Sequence, residues 1–385
     1  MIIHLYHQYF RYPDEGGAVR SFYLARHLLE NGHEVVVFTA HNSESGHKRI
    51  HGISVEYLPL PYENQFGFGK RIRSFVKFVY LAIKRSKQYP KPDLNYVITT
   101  PLTTGFIALW LKKTRKIPYA FEVGDLWPEV PIQMGVIKNQ LAQKWLYALE
   151  RRIYEKAKHL IGLSPGIKDY IEYSCDFKVK AISIPNMSDC EAFRPHMREE
   201  AVSEKHPFQI SYIGTFGIAN QLETLIEFAR LCAKEKLPVH FNLMGEGGRE
   251  EVLKTLSEDL SNISWLPFGS HHIVKTLLEN SDAIYVSFQD IPILGTGSPN
   301  KFFDGLAAGK LIIVNFEGWI KDLILENECG LYYPPEDPED LLKNLISFIQ
   351  SPSLLESYQS NARTLAEVEF ERNKLLEDWM RYLEA

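Results

Sequence analysis

Cysteine is scarce. Four occur in 385 residues, Cys175, Cys190, Cys232 and Cys329. They lie far apart with no Cys-x-x-Cys spacing, so neither a disulfide framework nor a zinc site is expected, and a reducing cytosol fits. No apolar run approaches the roughly 20 residues that cross a bilayer; the longest are residues 78–83 and 105–111. Met1 to His7 has no basic stretch leading into an apolar segment and a small-residue cleavage site, so no export leader is expected there. Neither sign of charge is in excess. Lys+Arg is 43 and Asp+Glu 48, a net charge of −5, which gives no global footprint for nucleic acid. A dinucleotide-dependent dehydrogenase is also disfavoured, because no Gly-x-Gly-x-x-Gly follows the first apolar run with an acid about 20 residues on.

What is present is ordinary globular material: 45% hydrophobic, 24% charged and 12% aromatic. At about 150 residues per domain this length suggests two domains. The opening reads as strand (Ile2–Tyr6), a break at Glu15-Gly16-Gly17, a helix over 18–30 stopped by Asn31-Gly32, and a buried strand at 35–38. Strands at 53–58, 96–99, 119–123 and 159–163 alternate with helices at 102–113, 141–156 and 166–173. That alternation implies a parallel sheet covered on both faces. Residues 194–207 are polar and broken by proline, with Glu199, Glu200, Glu204 and Lys205. The opening pattern then repeats, as a strand at 209–213, a glycine loop at Gly214, Thr215, Phe216 and Gly217, and a helix at 222–232. Further strands follow at 239–244, 283–287 and 311–314, with Gly245-Glu246-Gly247-Gly248 after the first of them. Residues 335–385 read as helical throughout.

The expectation is therefore α/β, with two Rossmann-like doubly wound domains facing a cleft. The division is 1–190, a linker at 191–207, 208–365, and a C-terminal helix at 366–385 crossing back to the first domain. Ligands of such sheets bind beyond the carboxyl ends of the strands, where glycine loops and helix N-termini favour an anion. Three glycine loops in that position point to a phosphate-bearing ligand. The densest segment is Gly295-Thr296-Gly297-Ser298-Pro299-Asn300-Lys301, followed by Asp304. Ser298 reads as an N-cap with Pro299 at the first helical position. Lys301 opposes the helix dipole unless it neutralises an anion held there. It shares a helix face with Asp304, three residues on. A cation for a phosphate and a carboxylate for sugar hydroxyls would then face one cleft.

Residues 70–91 form a basic stretch, with Lys70, Arg71, Arg73, Lys77, Lys84, Arg85, Lys87 and Lys91 and no acid between Glu63 and Asp93. Apolar residues interleave, so a cationic amphipathic helix is expected, of the kind that lies on an anionic membrane surface.

These segments together resemble the family 4 retaining glycosyltransferases of the two-domain GT-B fold, and within them the branch that builds bacterial surface polysaccharides, including amino-sugar transferases. Gln8-Tyr9-Phe10 with Glu15-Gly16-Gly17 resembles the family's first loop. Gly32-His33-Glu34-Val35 and Asp125-Leu126-Trp127-Pro128-Glu129 resemble further signatures. The crossover from Ile184-Pro185-Asn186 to Phe193-Arg194-Pro195 and the loops at Gly245-Glu246-Gly247 and Ser298-Pro299-Asn300-Lys301 complete the likeness.

The resemblance implies a UDP-sugar donor held mainly by the second domain. Its diphosphate would lie on Lys301, helped by backbone groups at Ser298, Pro299, Asn300, Gly16 and Gly17, with Gly214, Gly245, Glu246, Thr296 and Gly297 also in the donor site. Asp304 would take the ribose, and Phe268 and Gly269 the base. Asp125 would be catalytic or acceptor-positioning, with Trp127 and Glu129 beside it. Thr296 stands where the family has the first of its paired acids. No Asp-x-Asp occurs, so metal-independent transfer without a cofactor is expected. The acceptor would be a lipid-linked or growing surface glycan, and the enzyme cytoplasmic and peripheral at the inner face of the plasma membrane. The other readings are a nucleotide-sugar 2-epimerase of the same fold and a non-catalytic nucleotide-sugar-binding subunit.

Overall fold

The computed structural model describes residues 1–61, 68–196, 198 and 200–385; Glu63 and Glu199 lie outside them. The first lobe runs β1 (Ile2–Tyr6), α1 (Arg20–Glu30), β2 (Glu34–His41), β3 (Gly46–Ile50), β4 (Ile53–Pro59), α2 (Phe68–Ser86), β5 (Leu94–Ile98), α3 (Thr104–Arg115), β6 (Tyr119–Val123), α4 (Glu129–Gln133), α5 (Gln140–Lys156), β7 (His159–Gly162), α6 (Pro165–Ser174) and β8 (Ile182–Ser183). The second runs β9 (Phe208–Thr215), α7 (Glu223–Lys234), β10 (Val239–Glu246), α8 (Glu250–Leu256), β11 (Ile263–Leu266), α9 (His271–Glu279), β12 (Ala283–Val286), α10 (Asn300–Ala307), β13 (Leu311–Val314), α11 (Trp319–Glu326), β14 (Gly330–Tyr332), α12 (Pro338–Gln350), α13 (Pro352–Glu369) and α14 (Arg372–Glu384).

The sheet orders are β3-β4-β2-β1-β5-β6-β7-β8 and β11-β10-β9-β12-β13-β14. Every pairing is parallel except β3 with β4. Strand order reverses between β1 and β5 in one lobe and between β9 and β12 in the other. These are the crevices where doubly wound sheets hold ligands. The central strands β5, β6, β7, β12 and β13 are buried along their whole length. That is why they read as predominantly apolar runs instead of alternating ones. The expected fold class is the observed one.

One apolar cluster is continuous across the lobes, from Ile3 and Leu5 through Trp379 and Met380 of α14 to Phe302 and Phe303 of α10. The last stretch is not one helix. Pro352 follows the capping Ser351, and the chain breaks again at Phe370 and Glu371. Residues 366–369 still belong to α13, which packs on α10. The crossing to the first lobe therefore begins at Phe370, where the Ser188 amide donates to the Phe370 carbonyl. The basic helix is likewise shorter than its run of charge. α2 ends at Ser86, leaving Lys87 and Lys91 beyond it.

A buried polar chain ties α14 to the crossover at Ile184-Pro185-Asn186, the hinge between the lobes. The Trp379 indole donates to the Tyr96 hydroxyl (2.8 Å), which donates to Glu122 (2.5 Å). Arg20 donates to both Glu122 oxygens (3.0 and 3.1 Å) and to the Pro185 carbonyl (2.6 Å).

Candidate active site

The carboxyl ends of the two sheets meet. In the first lobe the loop after β1 has Gly16 at φ +70°, and a Cβ there would overlap the Gly269 carbonyl and touch the Phe268 ring. Only glycine fits both the backbone and the gap. Phe268 itself remains 46% exposed, and Gly269 is crowded by Ile273. Gly17 also has positive φ, with the Arg11 side chain alongside. Arg11 is exposed and was not singled out from the sequence.

At the floor of the second lobe, Gly214 and Gly245 are the next-to-last residues of β9 and β10. A Cβ on Gly245 would overlap the Gly214 carbonyl, and Gly247 is equally tight against Phe216. Glu246 ends β10 and is exposed. Lys301, in the first turn of α10, reaches back to this floor. Its ammonium lies 3.8 Å from the Tyr212 ring centroid and packs on Gly214. Tyr212 is fixed by donating its hydroxyl to the Thr215 carbonyl (2.8 Å). The ring faces the cation with its negative π surface. Burial, with no anionic partner among the described residues, lowers the Lys301 pKa to about 7.

Asp304 lies one turn on, half-buried, and no described side chain bonds to it. Burial, with the negative charge of Asp189 as a second cause, raises its pKa to about 8. Both charges of this helix face are thus held away from their ordinary ionisation by a site that, among the described residues, offers neither of them a counter-ion. A ligand carrying a diphosphate and hydroxyl groups would supply both.

The turn before α10 is held by the hinge. Asn186 donates its amide N–H to the Ser298 hydroxyl (3.1 Å) and its side-chain Nδ2 to the Ser298 carbonyl (2.5 Å). The expected N-cap role of Ser298 is therefore corrected: α10 starts at Asn300 with Pro299 at the cap position, and the hydroxyl serves the crossover instead. Ser164 donates to the Thr296 carbonyl (2.5 Å) while capping α6, and Gly166 leaves just enough room for the Thr296 side chain. The Thr296 hydroxyl turns inward to the Ile293 carbonyl (2.7 Å). Gly297 accepts from the Trp319 indole (2.8 Å) through its carbonyl. None of Ser164, Asn186 and Tyr212 stood out as a site residue in the sequence, because their partners lie on the other lobe or on a neighbouring element.

Across the cleft, Asp125 follows β6 and accepts from the Thr100 hydroxyl (3.0 Å). It is open to the cleft, yet surrounding protein raises its carboxyl above the usual range, with the Thr100 bond acting the other way. Trp127 is half-buried, edge-on to Phe75 at 6.5 Å. Glu129 accepts from Tyr147 (2.5 Å) and Gln133 (2.6 Å), so its carboxylate is committed within the first lobe. Among the described residues, no group of three His, Cys, Asp or Glu is arranged to hold a metal ion.

Residues 15–180 match the family described as Glycosyl transferase 4-like domain, and residues 193–365 the family described as Glycosyl transferases group 1. An uncharacterized glycosyltransferase of Methanocaldococcus jannaschii is 21% identical over 291 residues, which cover 73% of this chain and 71% of that protein. Sucrose-phosphate synthase of Thermosynechococcus elongatus superposes with a TM-score of 0.79 at 16% identity, covering 100% of this chain and 98% of its own. HepE of Anabaena, solved in complex with UDP-glucose, gives 0.73 at 14% identity, with coverage of 100% and 99%. WaaG, a glycosyltransferase involved in lipopolysaccharide biosynthesis, gives 0.68 at 16%, with 98% of each chain covered.

Proposed function

The chain is a glycosyltransferase of the GT-B fold, a glycosyl transferase 4-like domain followed by a group 1 domain, and from that premise we propose that it transfers a sugar from a UDP-sugar to a lipid-linked or growing surface-glycan acceptor. The sugar is an N-acetylated or deoxy amino sugar, as in the surface-polysaccharide branch that the sequence resembles. The observation that carries the reading is the pair Lys301 and Asp304. They share one face of α10 at the strand-order reversal of the second lobe, without counter-ions among the described residues, and the turn before them is clamped by Asn186. A UDP donor is favoured because the HepE structures hold UDP-glucose or UDP. WaaG's role in lipopolysaccharide biosynthesis favours a surface-glycan acceptor.

In the reaction the bond between the anomeric carbon and the diphosphate oxygen breaks, its electron pair leaving with the diphosphate. The Lys301 ammonium and the backbone N–H groups at the start of α10 stabilise that growing charge. The acceptor oxygen bonds to the same carbon with retention and gives up its proton to a base; Asp125 is our choice for acceptor positioning or for that base. The diphosphate is stabilised without a divalent ion, so turnover should survive EDTA. The acceptor is presented from an anionic membrane that contacts residues 70–91, at the inner face of the plasma membrane.

Thermal-shift screening against a panel of nucleotide sugars tests the donor, since selective binding raises apparent stability. UDP-sugars should stabilise the protein and other nucleotide sugars should not. Release of UDP should then require an acceptor. Interconversion of the donor with no acceptor present would replace transfer by epimerisation.

A further inference from the structure

Three helices of the first lobe, α2, α3 and α5, enclose a groove of about 1090 Å³ whose walls are apolar. Large side chains stand exposed along it: Val76 (59%), Tyr80 (61%), Trp110 (52%) and Trp145 (58%). The Trp145 ring lies 6.1 Å from Phe106. So much contiguous apolar surface is unusual on a soluble face and marks a contact site. The charged residues lining it all have one sign: Lys112, Lys113, Lys116, Arg152 and Lys156. Among the described residues no acid lines the groove and none of the five is paired with a carboxylate; Lys112 donates to the Lys156 carbonyl (2.6 Å). This cluster stands out on a chain of net charge −5.

Charge complementarity selects the occupant. A second copy of the chain on this face would set like charges against each other, which costs association energy. Anionic headgroups would match the five cations, and tryptophan and tyrosine settle at the headgroup level of bilayers. We infer that the α2–α3–α5 face docks on a bilayer of anionic phospholipid, with Tyr80, Trp110 and Trp145 seated at the interface and the cations of α3 and α5 on lipid phosphates. The inference rests on the membrane-presented acceptor of the proposed function and gives it a different address. The contact is an aromatic groove shared by three helices, whereas the sequence pointed to the basic stretch at 70–91, with Lys112, Lys113, Arg115 and Lys116 nearby in sequence. It also links membrane to site, because Thr100, which holds Asp125, lies in the loop that leads into α3.

The test is flotation of the full chain at low salt with phosphatidylcholine vesicles, with and without phosphatidylglycerol, read together with quenching of tryptophan emission by bromine-labelled lipid. The expected result is flotation only with phosphatidylglycerol, with quenching. Trp110→Ser combined with Trp145→Ser should remove most of the quenching. Each of Lys112→Gln, Lys113→Gln and Lys116→Gln should weaken partitioning about fivefold at low salt. UDP binding, measured on the same samples, should stay unchanged and certify folding. If Lys77→Gln with Lys84→Gln abolishes flotation while the groove variants float as the parent does, the groove assignment fails and the membrane reading stands. If the parent chain does not float, both fail, and the donor reading is judged separately by its UDP binding. A dimer that the tryptophan variants convert to monomer would make a second copy the occupant and overturn the inference.

Discussion

Lys301 and Asp304 carry opposite pH signatures, and these make the site testable before any acceptor is known. Burial lowers the Lys301 pKa to about 7. Between there and the ordinary lysine range the native chain holds fewer protons than the unfolded one. Stability therefore rises with pH across that window, and below about 7 the full cost of the buried charge is present. Lys301→Met should raise the melting temperature most at mildly acidic pH, with the gain shrinking as pH climbs toward the ordinary lysine value. Asp304, raised to about 8, does the reverse. The native chain holds the extra proton from the usual aspartate range up to about 8, so stability falls with pH there, and Asp304→Asn should stabilise most at the alkaline end. Melting curves over pH for the two variants check both signs. The pair could be read from sequence because its members are three residues apart. Asn186 could not, since its partner Ser298 is 112 positions away, and the same holds for Arg20 and Glu122 at 102. Such partnerships exist only once the sheets have formed.

Among the elements, the chain Trp379–Tyr96–Glu122–Arg20–Pro185 runs from α14 through the first sheet and α1 to the hinge. Arg20→Ala leaves the fully buried Glu122 without its cation and should destabilise the protein by about 3–5 kcal/mol, measured by urea unfolding. Replacing Arg20 and Glu122 together by methionine should cost clearly less, because the penalty lies in the orphaned charge. Asn186→Ala removes one buried hydrogen bond, worth about 1 kcal/mol. Its larger effect should fall on donor affinity, because the Ser298 turn loses its clamp. Element types were largely legible: the buried parallel strands are predominantly apolar, and glycine loops punctuate them. Three things were not. The break at Phe370 interrupts a helical pattern without any strong break in its apolar periodicity, whereas the one at Ser351 was marked by Ser351-Pro352 and passed over. The antiparallel strand β3 is short and polar, with Gly46-His47-Lys48-Arg49 mostly exposed. The groove between α2, α3 and α5 combines side chains from three separate segments, so no single window of sequence contains it.

At the scale of the whole molecule the lobes are in contact, and Gly16 is where the first loop of one meets Gly269 of the other. Gly16→Ala should strain a backbone at φ +70° by about 1–3 kcal/mol and push the seam open. Donor turnover should then fall more than global stability does, which steady-state kinetics and thermal melts together would show. All of this depends on a sugar nucleotide entering between the lobes with its diphosphate on Lys301. Calorimetric titration of the intact chain with UDP above about pH 7, in buffers of different ionisation heat, tests that most directly. The account predicts one site per chain, with proton uptake as the diphosphate restores the charge of Lys301. It also predicts an affinity roughly tenfold or more weaker in Lys301→Ala, the worth of one charge-assisted hydrogen bond, with that uptake lost. UDP that fails to bind, or that binds Lys301→Ala as tightly and with the same proton uptake, would contradict it.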